Sequence, residues 1–264
     1  MLALVCGRGQ LPAAIAAECS VPPLICALDG FAPADVTPDV TFRLETLADF
    51  IADLIARGIS DVCFCGAITR VPLDPALVTE TNRPVLAQLA AAMQHGDDHA
   101  LRAVVSVFES RGLTIRAAQD LAPGLLAKTG VLTQSAPSDA VQRDADKGFA
   151  LLRALGQFDV GQTCVMGGGQ VLGIEALGGT NHLLSTLPDV PQTASAILCK
   201  APKSGQDHRI DWPTVGPDTI AALVQAGLSG LVLEDGGALM LDRDQMIQAA
   251  DVAGLFIWVR PAAR

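Results

Sequence analysis

Positive charge is scarce in this chain. Its 264 residues hold 18 Lys and Arg against 28 Asp and Glu, a formal net charge of −10 at pH 7. A protein that binds nucleic acid by neutralising phosphates needs the opposite balance, so that class is disfavoured. Charge of either sign is thin, at 17% of residues, while 50% are hydrophobic. Such a composition speaks against disorder and supplies a large core. No apolar run reaches the ~18 residues that a membrane-spanning helix needs, so any membrane contact is expected to be peripheral. Met1-Leu-Ala-Leu-Val5 enters a strand-like segment with no basic stretch before it, and no secretory leader is expected. The seven cysteines, at 6, 19, 26, 63, 65, 164 and 199, include no CxxC pair and no Cys/His spacing of a zinc site. Reduced, buried thiols in a cytoplasmic protein are the reading. Repeats, low-complexity tracts, a P-loop and a His/Asp metallophosphoesterase pattern are missing as well.

What the chain does hold is an alternation of short apolar runs and amphipathic stretches. Residues 2–6, 24–28 and 61–65 read as buried strands, the first and third ended by Gly7 and Gly66. Residues 13–19 read as a helix with Pro12 suited to its first position, and 47–57 as an amphipathic helix stopped by Gly58. Strand and helix in turn, with short connections, indicate a parallel sheet covered on both faces. Helices are expected at 85–94 and 98–111, then a further strand at 113–116. Between about 121 and 140, Pro123, Gly124, Gly130 and Pro137 signal a linker. Beyond it come a helix at 144–155, strands at 162–166, 170–176 and 194–198, a helix at 219–226 closed by Gly227, strands at 231–233, 239–241 and 255–259, and a helix at 243–252. The expected fold class is α/β in two domains. An N-terminal Rossmann-like domain spans 1–130, a linker 131–140, and a C-terminal mixed-sheet catalytic domain 141–264, with a ligand cleft between the domains.

The stretch Lys200-Ala-Pro-Lys-Ser-Gly-Gln-Asp-His-Arg-Ile-Asp-Trp-Pro-Thr-Val-Gly216 stands out. Lys200, Lys203, Asp207, Arg209 and Asp211 crowd it, with Gln206 and His208 between them. Pro202, Gly205 and Pro213 oppose a long helix here. Mixed charge on a loop set between apolar elements suits an anion together with a metal or a proton carrier; a solvated surface loop is the competing account. On the first reading Lys200, Lys203 and Arg209 neutralise phosphate charge. A carboxylate then holds Mg²⁺ or orients the attacking water, Asp211 ahead of Asp207 because the nearby Pro213 stiffens it.

Other candidates are weaker. Gly7-x-Gly9-x-x-Pro12 is an incomplete dinucleotide fingerprint: Pro12 replaces the third glycine and only Asp29 stands in for the acidic residue. A nicotinamide-dependent oxidoreductase would rest on that turn alone. Its N–H groups can still face a phosphate at a helix start, and a plain tight turn explains the glycines equally well. Gly66 and Arg70 lie at the carboxyl end of the third strand, where Arg70 has the reach of a bidentate phosphate ligand. In His95-Gly96-Asp97-Asp98-His99 the carboxylates serve as helix caps or as metal or substrate ligands. Gly167-Gly-Gly169 reads as a hairpin turn. Glu175 is a plausible strand-end site carboxylate, Thr180 a plausible N-cap, and His182 a packing or surface residue.

Together these pieces resemble one family, the LpxI-type UDP-2,3-diacylglucosamine pyrophosphatases of lipid A biosynthesis. The matching residues are Gly7-x-Gly9-x-Leu11-Pro12, Gly66-x-x-x-Arg70, Gly96-Asp97-Asp98-x-x-Leu101, Glu175-x-x-x-Gly179-Thr180, the loop from Lys200 to Gly216, Ala226-Gly227-Leu228 and Asp251-x-x-Gly254. They cover nearly the whole chain in order. The resemblance implies cleavage of the substrate's diphosphate to UMP and 2,3-diacylglucosamine 1-phosphate. It implies a Mg²⁺ cofactor, a homodimer, and a cytoplasmic protein with peripheral contact at the inner face of the inner membrane. It also implies catalytic roles for Asp211, Lys200 and Arg209, and metal ligation by Asp211 and Asp207. Substrate contacts are implied at Gly9, Gln10, Leu11, Gly66, Arg70, Asp98, Glu175, Gly179, Thr180, Lys203, Gln206 and Thr214. A non-catalytic nucleotide-sugar or lipid-binding protein is the alternative.

Overall fold

Short apolar runs punctuated by glycine and proline set the architecture of each half of the chain. The computed structural model describes residues 1–264 apart from 70–72, 95–96, 204, 206 and 263–264 and the side chains of Asp97 and Asp98. The chain divides into two units, Met1–Pro123 with Asp207–Asp211, and Gly124–Gln206 with Trp212–Arg264.

In the first unit, β1 (Leu2–Cys6), β2 (Leu24–Leu28), β3 (Val40–Phe42), β4 (Asp61–Cys65) and β5 (Thr114–Ile115) form one parallel sheet. Among the described residues its order is β3-β2-β1-β4-β5. Ala3, Leu4, Val5 and Cys6 are all buried, the continuous pattern of a strand covered on both faces. The helices are α1 (Leu11–Glu18), α2 (Leu47–Ala56), α3 (Arg83–Met93), α4 (Asp97–Glu109) and the short α5 (Ala118–Leu121). Helix α2 buries Leu47, Ala48, Phe50, Ile51 and Leu54, one stripe at helical spacing. Its Phe50 ring stacks on Phe42 at 4.0 Å, and Phe108 meets Phe50 and Phe64 edge-on. Strand β3 was not foreseen, since three residues are too few for a periodic signal.

Sheet order reverses at β1, so the crevice outside the carboxyl ends of β1 and β4 is the place where such sheets take ligands. There the two exiting chains pair with each other. Gly7 N–H donates to Cys65 O at 2.8 Å, and Arg8 and Ala67 exchange both backbone bonds at 2.9 Å. A Cβ on Gly7 would lie 2.4 Å from the Ala67 carbonyl oxygen; one on Gly66, whose φ is +87°, would lie 2.7 Å from that of Gly7. Close approach of two backbones therefore requires both glycines.

The second unit holds β6 (Gly130–Val131), α6 (Asp139–Gly156), β7 (Thr163–Gly167), β8 (Gln170–Ile174), α7 (Gly179–Ser185), β9 (Ile197–Lys200), β10 (Thr214–Val215), α8 (Pro217–Gln225), β11 (Gly230–Glu234), β12 (Leu239–Met240), α9 (Arg243–Ala253) and β13 (Phe256–Arg260). Its sheet runs β6-β13-β11-β9-β7-β8. Strands β9, β11 and β13 are parallel, while β7 and β6 run against their neighbours, giving the expected mixed sheet. Along β9 the side chains alternate. Leu198 joins the core of Ile220 and Leu223 from α8, whereas Ile197 and Cys199 join that of Phe149 from α6. Residues 131–140, expected as a linker, fall inside this unit: Val131 pairs with Trp258, and Ser138 caps α6. Residues 239–241, expected as a strand, pair through β12 with β10 in a separate ladder. Among the described residues no helix is long and apolar enough to cross a membrane.

Gly66→Ala and Gly7→Ala are expected to destabilise by about 2 kcal/mol or more, through overpacking against backbone. Gly9→Ala, at φ +99° but with nothing within 4 Å, is expected to cost less. Urea denaturation of the three variants checks the ranking.

Candidate active site

Lys200 ends β9, and alternation puts it on the Leu198 face of the sheet. Its side chain is buried, at 9% exposure, and Nζ donates to the Thr214 carbonyl at 3.2 Å. An ammonium withdrawn from water acts more strongly on developing negative charge than an exposed one. Directly across the ladder lies Thr163, fully buried, and opposed residues of an antiparallel pair share a face. The Thr163 hydroxyl is 3.4 Å from that of Thr180, which donates to Glu175 Oε1 at 3.0 Å. Glu175 Oε2 accepts the Gln162 N–H at 3.1 Å. Glu175 is thus tied through both oxygens and holds the start of α7 against β7. Thr180 is not the N-cap: Gly178 occupies that position and Gly179 opens the helix, so the Thr180 hydroxyl is turned to Glu175 instead. Neither Gln162 nor Thr163 drew notice in the sequence, where both were only the start of a strand.

Lys203, at the beginning of the charged loop, pairs with Asp159 at 2.7 Å. Further along, the segment Asp207–Asp211 belongs to the first unit. Arg209 donates from Nε and Nη2 to the two oxygens of Asp207, at 2.9 and 2.7 Å, and from Nη1 to Glu109 Oε1 at 2.6 Å. The hydrogen bond from Arg209 holds the Asp207 carboxyl below the usual aspartate range. Since that pKa is depressed on folding, the contribution is present above the ordinary aspartate pKa and is lost only as pH falls through the lowered value. The His208 carbonyl accepts from Gln119 Nε2 at 2.5 Å. Ile210 is buried among first-unit residues.

Asp211 follows at once. It is exposed, and its φ is +54°. Aspartate tolerates this left-handed region better than most residues, and the other non-glycine cases among the described residues, Asp159 and Asp242, are aspartates too. Residues held there gather at functional sites. After it the chain re-enters the second unit, where Trp212 Nε1 donates to Gly236 O at 3.2 Å.

At the first unit's switch point Gly9 and Gln10 are exposed and Leu11 opens α1. Arg8, not singled out in the sequence, stands there with its guanidinium 4.8 Å from the Phe31 ring centre and donating to Gly30 O at 2.8 Å. Asp29, the stand-in for a ribose ligand, pairs with Arg43 at 2.6 Å. Asp98 lies in the first turn of α4; Arg70, His95 and Gln206 lie outside the described residues. Among the described residues no cluster of three or more His, Cys, Asp or Glu could cage a metal. Six cysteines are buried, and burial pushes the Cys26 thiol up to about 12, so it stays protonated at neutral pH.

Thr180→Val leaves a buried oxygen of Glu175 unmet. Its urea midpoint is expected to fall by the equivalent of about 1–3 kcal/mol. Asp211→Asn, at an exposed position whose φ asparagine also tolerates, is expected to keep a cooperative urea transition like that of the parent.

Comparison with known proteins agrees along nearly the whole chain. Residues 1–125 match the model described as the LpxI N-terminal domain, and residues 128–258 the LpxI C-terminal domain. A relative from Caulobacter vibrioides, named UDP-2,3-diacylglucosamine pyrophosphatase LpxI, is 33% identical over 268 residues, covering 97% of this chain and 96% of its own length. With both domain types matched in order across nearly its full length, this protein belongs to the LpxI family.

Proposed function

We propose that the protein hydrolyses the diphosphate of UDP-2,3-diacylglucosamine, giving UMP and 2,3-diacylglucosamine 1-phosphate, as a step of lipid A biosynthesis. The observation that carries this reading is the match, at 33% identity over 97% of the chain, to a protein named for that activity. In the reaction water adds to one phosphorus of the diphosphate, the bridging P–O bond breaks, and the other phosphate leaves with its electron pair. The transition state gathers negative charge on the phosphoryl oxygens, which a buried cation is suited to offset. Lys200 supplies that cation. Asp211 is the carboxylate that accepts a hydrogen bond from the attacking water and orients it.

Mg²⁺ suits this donor set better than a metal needing a protein cage, since it is commonly held by one or two carboxylates, with waters and substrate phosphates completing its shell. Asp211 and Asp207 would hold it, Asp207 while also accepting from Arg209. When bound, the ion would screen the diphosphate charge. The same reading makes the protein a cytoplasmic homodimer that touches the inner face of the inner membrane, where so amphipathic a substrate resides.

Incubation with UDP-2,3-diacylglucosamine is expected to release UMP with Mg²⁺ and not with EDTA. Tight binding without UMP release would overturn the reading in favour of a nucleotide-sugar or lipid binder. Asp211→Asn is expected to lower kcat by about 100-fold with KM little changed, the pattern of an interaction made only in the transition state. Lys200→Ala is expected to lower kcat/KM by about tenfold or more. Wild-type kinetics in either variant would remove the role assigned to it.

A further inference from the structure

We propose that Glu109, the last residue of α4, is a positioning residue for the loop that carries Asp211, and that Arg209 acts through Glu109 and Asp207 rather than on phosphate. The proposal rests on the pyrophosphatase reading above. Each nitrogen of the Arg209 guanidinium donates to a carboxylate: Nη1 to Glu109 at 2.6 Å, Nε and Nη2 to Asp207 at 2.9 and 2.7 Å. The Arg209 backbone N–H adds a bond to Asp207 Oδ1 at 3.0 Å. Arg102 adds a second positive charge near Asp207, so the group holds two charges of each sign and the Arg209 charge is already matched. A substrate phosphate would have to displace a bidentate carboxylate, among the stronger pairs an arginine makes.

Glu109 is also poorly placed for helix stability. A negative charge at the carboxyl end opposes the helix dipole, and no basic residue lies in the last turn of α4. The Glu109–Arg209 pair is itself exposed, with side chains 43% and 38% accessible, and such pairs contribute only about 0–1 kcal/mol. Stability is therefore a weak reason for it. Geometry is a better one. Arg209 is followed by Ile210, which is buried in the core that also contains Phe108, the neighbour of Glu109. Two successive loop residues are thus held by the unit to which the end of α4 belongs, and the next residue is Asp211 at φ +54°. A pinned approach fixes where that carboxylate stands, and misplacement by about 1 Å costs as much as 100-fold in rate.

The test compares Glu109→Gln, Arg209→Lys and the double variant with the parent protein. Hydrolysis of UDP-2,3-diacylglucosamine gives kcat and KM, and product inhibition by UMP gives phosphate affinity. Positioning predicts that each single change lowers kcat about tenfold or more. It also predicts that KM and UMP inhibition move less than about twofold, and that the double variant is no worse than the worse single, as for residues in one network. Hydrogen exchange over residues 207–211 is expected to quicken in Glu109→Gln while the sheet amides keep their protection. Wild-type kcat in Glu109→Gln, or weakened UMP inhibition confined to Arg209→Lys, would overturn the proposal. Unchanged exchange at 207–211 would overturn it whether or not the parent turns over. A parent protein that releases no UMP fails the pyrophosphatase reading instead, and the exchange measurement still decides this one.

Discussion

Ile210 buries its side chain in a core built from first-unit strands and helices, although the chain returns to the second unit two residues later. Burying a side chain of that size contributes about 1.5–3 kcal/mol, more than any exposed ion pair in the loop. The charged segment is therefore held where an apolar side chain enters a core, and the contacts of Arg209 beside it set the direction in which the chain leaves that anchor. Arg209 comes to face Glu109, and Asp211 emerges in a sparsely populated backbone conformation at the point where the chain changes units.

This placement alters the electrostatic account of the loop. Written as a sequence, Lys200, Lys203 and Arg209 look like three equivalent cations for an anionic substrate. Folded, they differ. Lys203 faces Asp159 and Arg209 faces two carboxylates, both at least partly in contact with water, while the Lys200 ammonium is buried at a strand end. In a chain of net charge −10, cations matter by position rather than by number. A buried charge at a strand end acts over short distance with little screening, whereas long-range attraction of an anion is not available.

Much of the architecture was legible because its strands are dense apolar runs. β1, β2 and β4 need no more than their own residues to be recognised, and their alternation with helices gives the parallel sheet. Strands β3, β6 and β10 escaped because two or three residues carry no period. The glycine turn after β1 left two accounts open. The structure adds a physical one, a close approach of Gly7 and Gly66 that no single turn could reveal. Thr180 looked like a cap because Ser and Thr usually are at helix starts, yet its hydroxyl answers to Glu175, five residues back, across the beginning of the helix. The long motif around the charged loop, together with the shorter pieces that match in order on either side of it, indicated the family.

By itself the sequence determined the α/β class, the apolar strands, the scarcity of cations and the family motif, because each of these is written in composition or in short-range spacing. Tertiary structure alone decided that Thr163 lies opposite Lys200, that Glu109 meets Arg209 across 100 residues of chain, and that Ile210 joins the first core rather than the second. The reason is that strand register and the core an apolar side chain enters are settled by packing between distant segments. Local periodicity says that a residue is to be buried, but not against what.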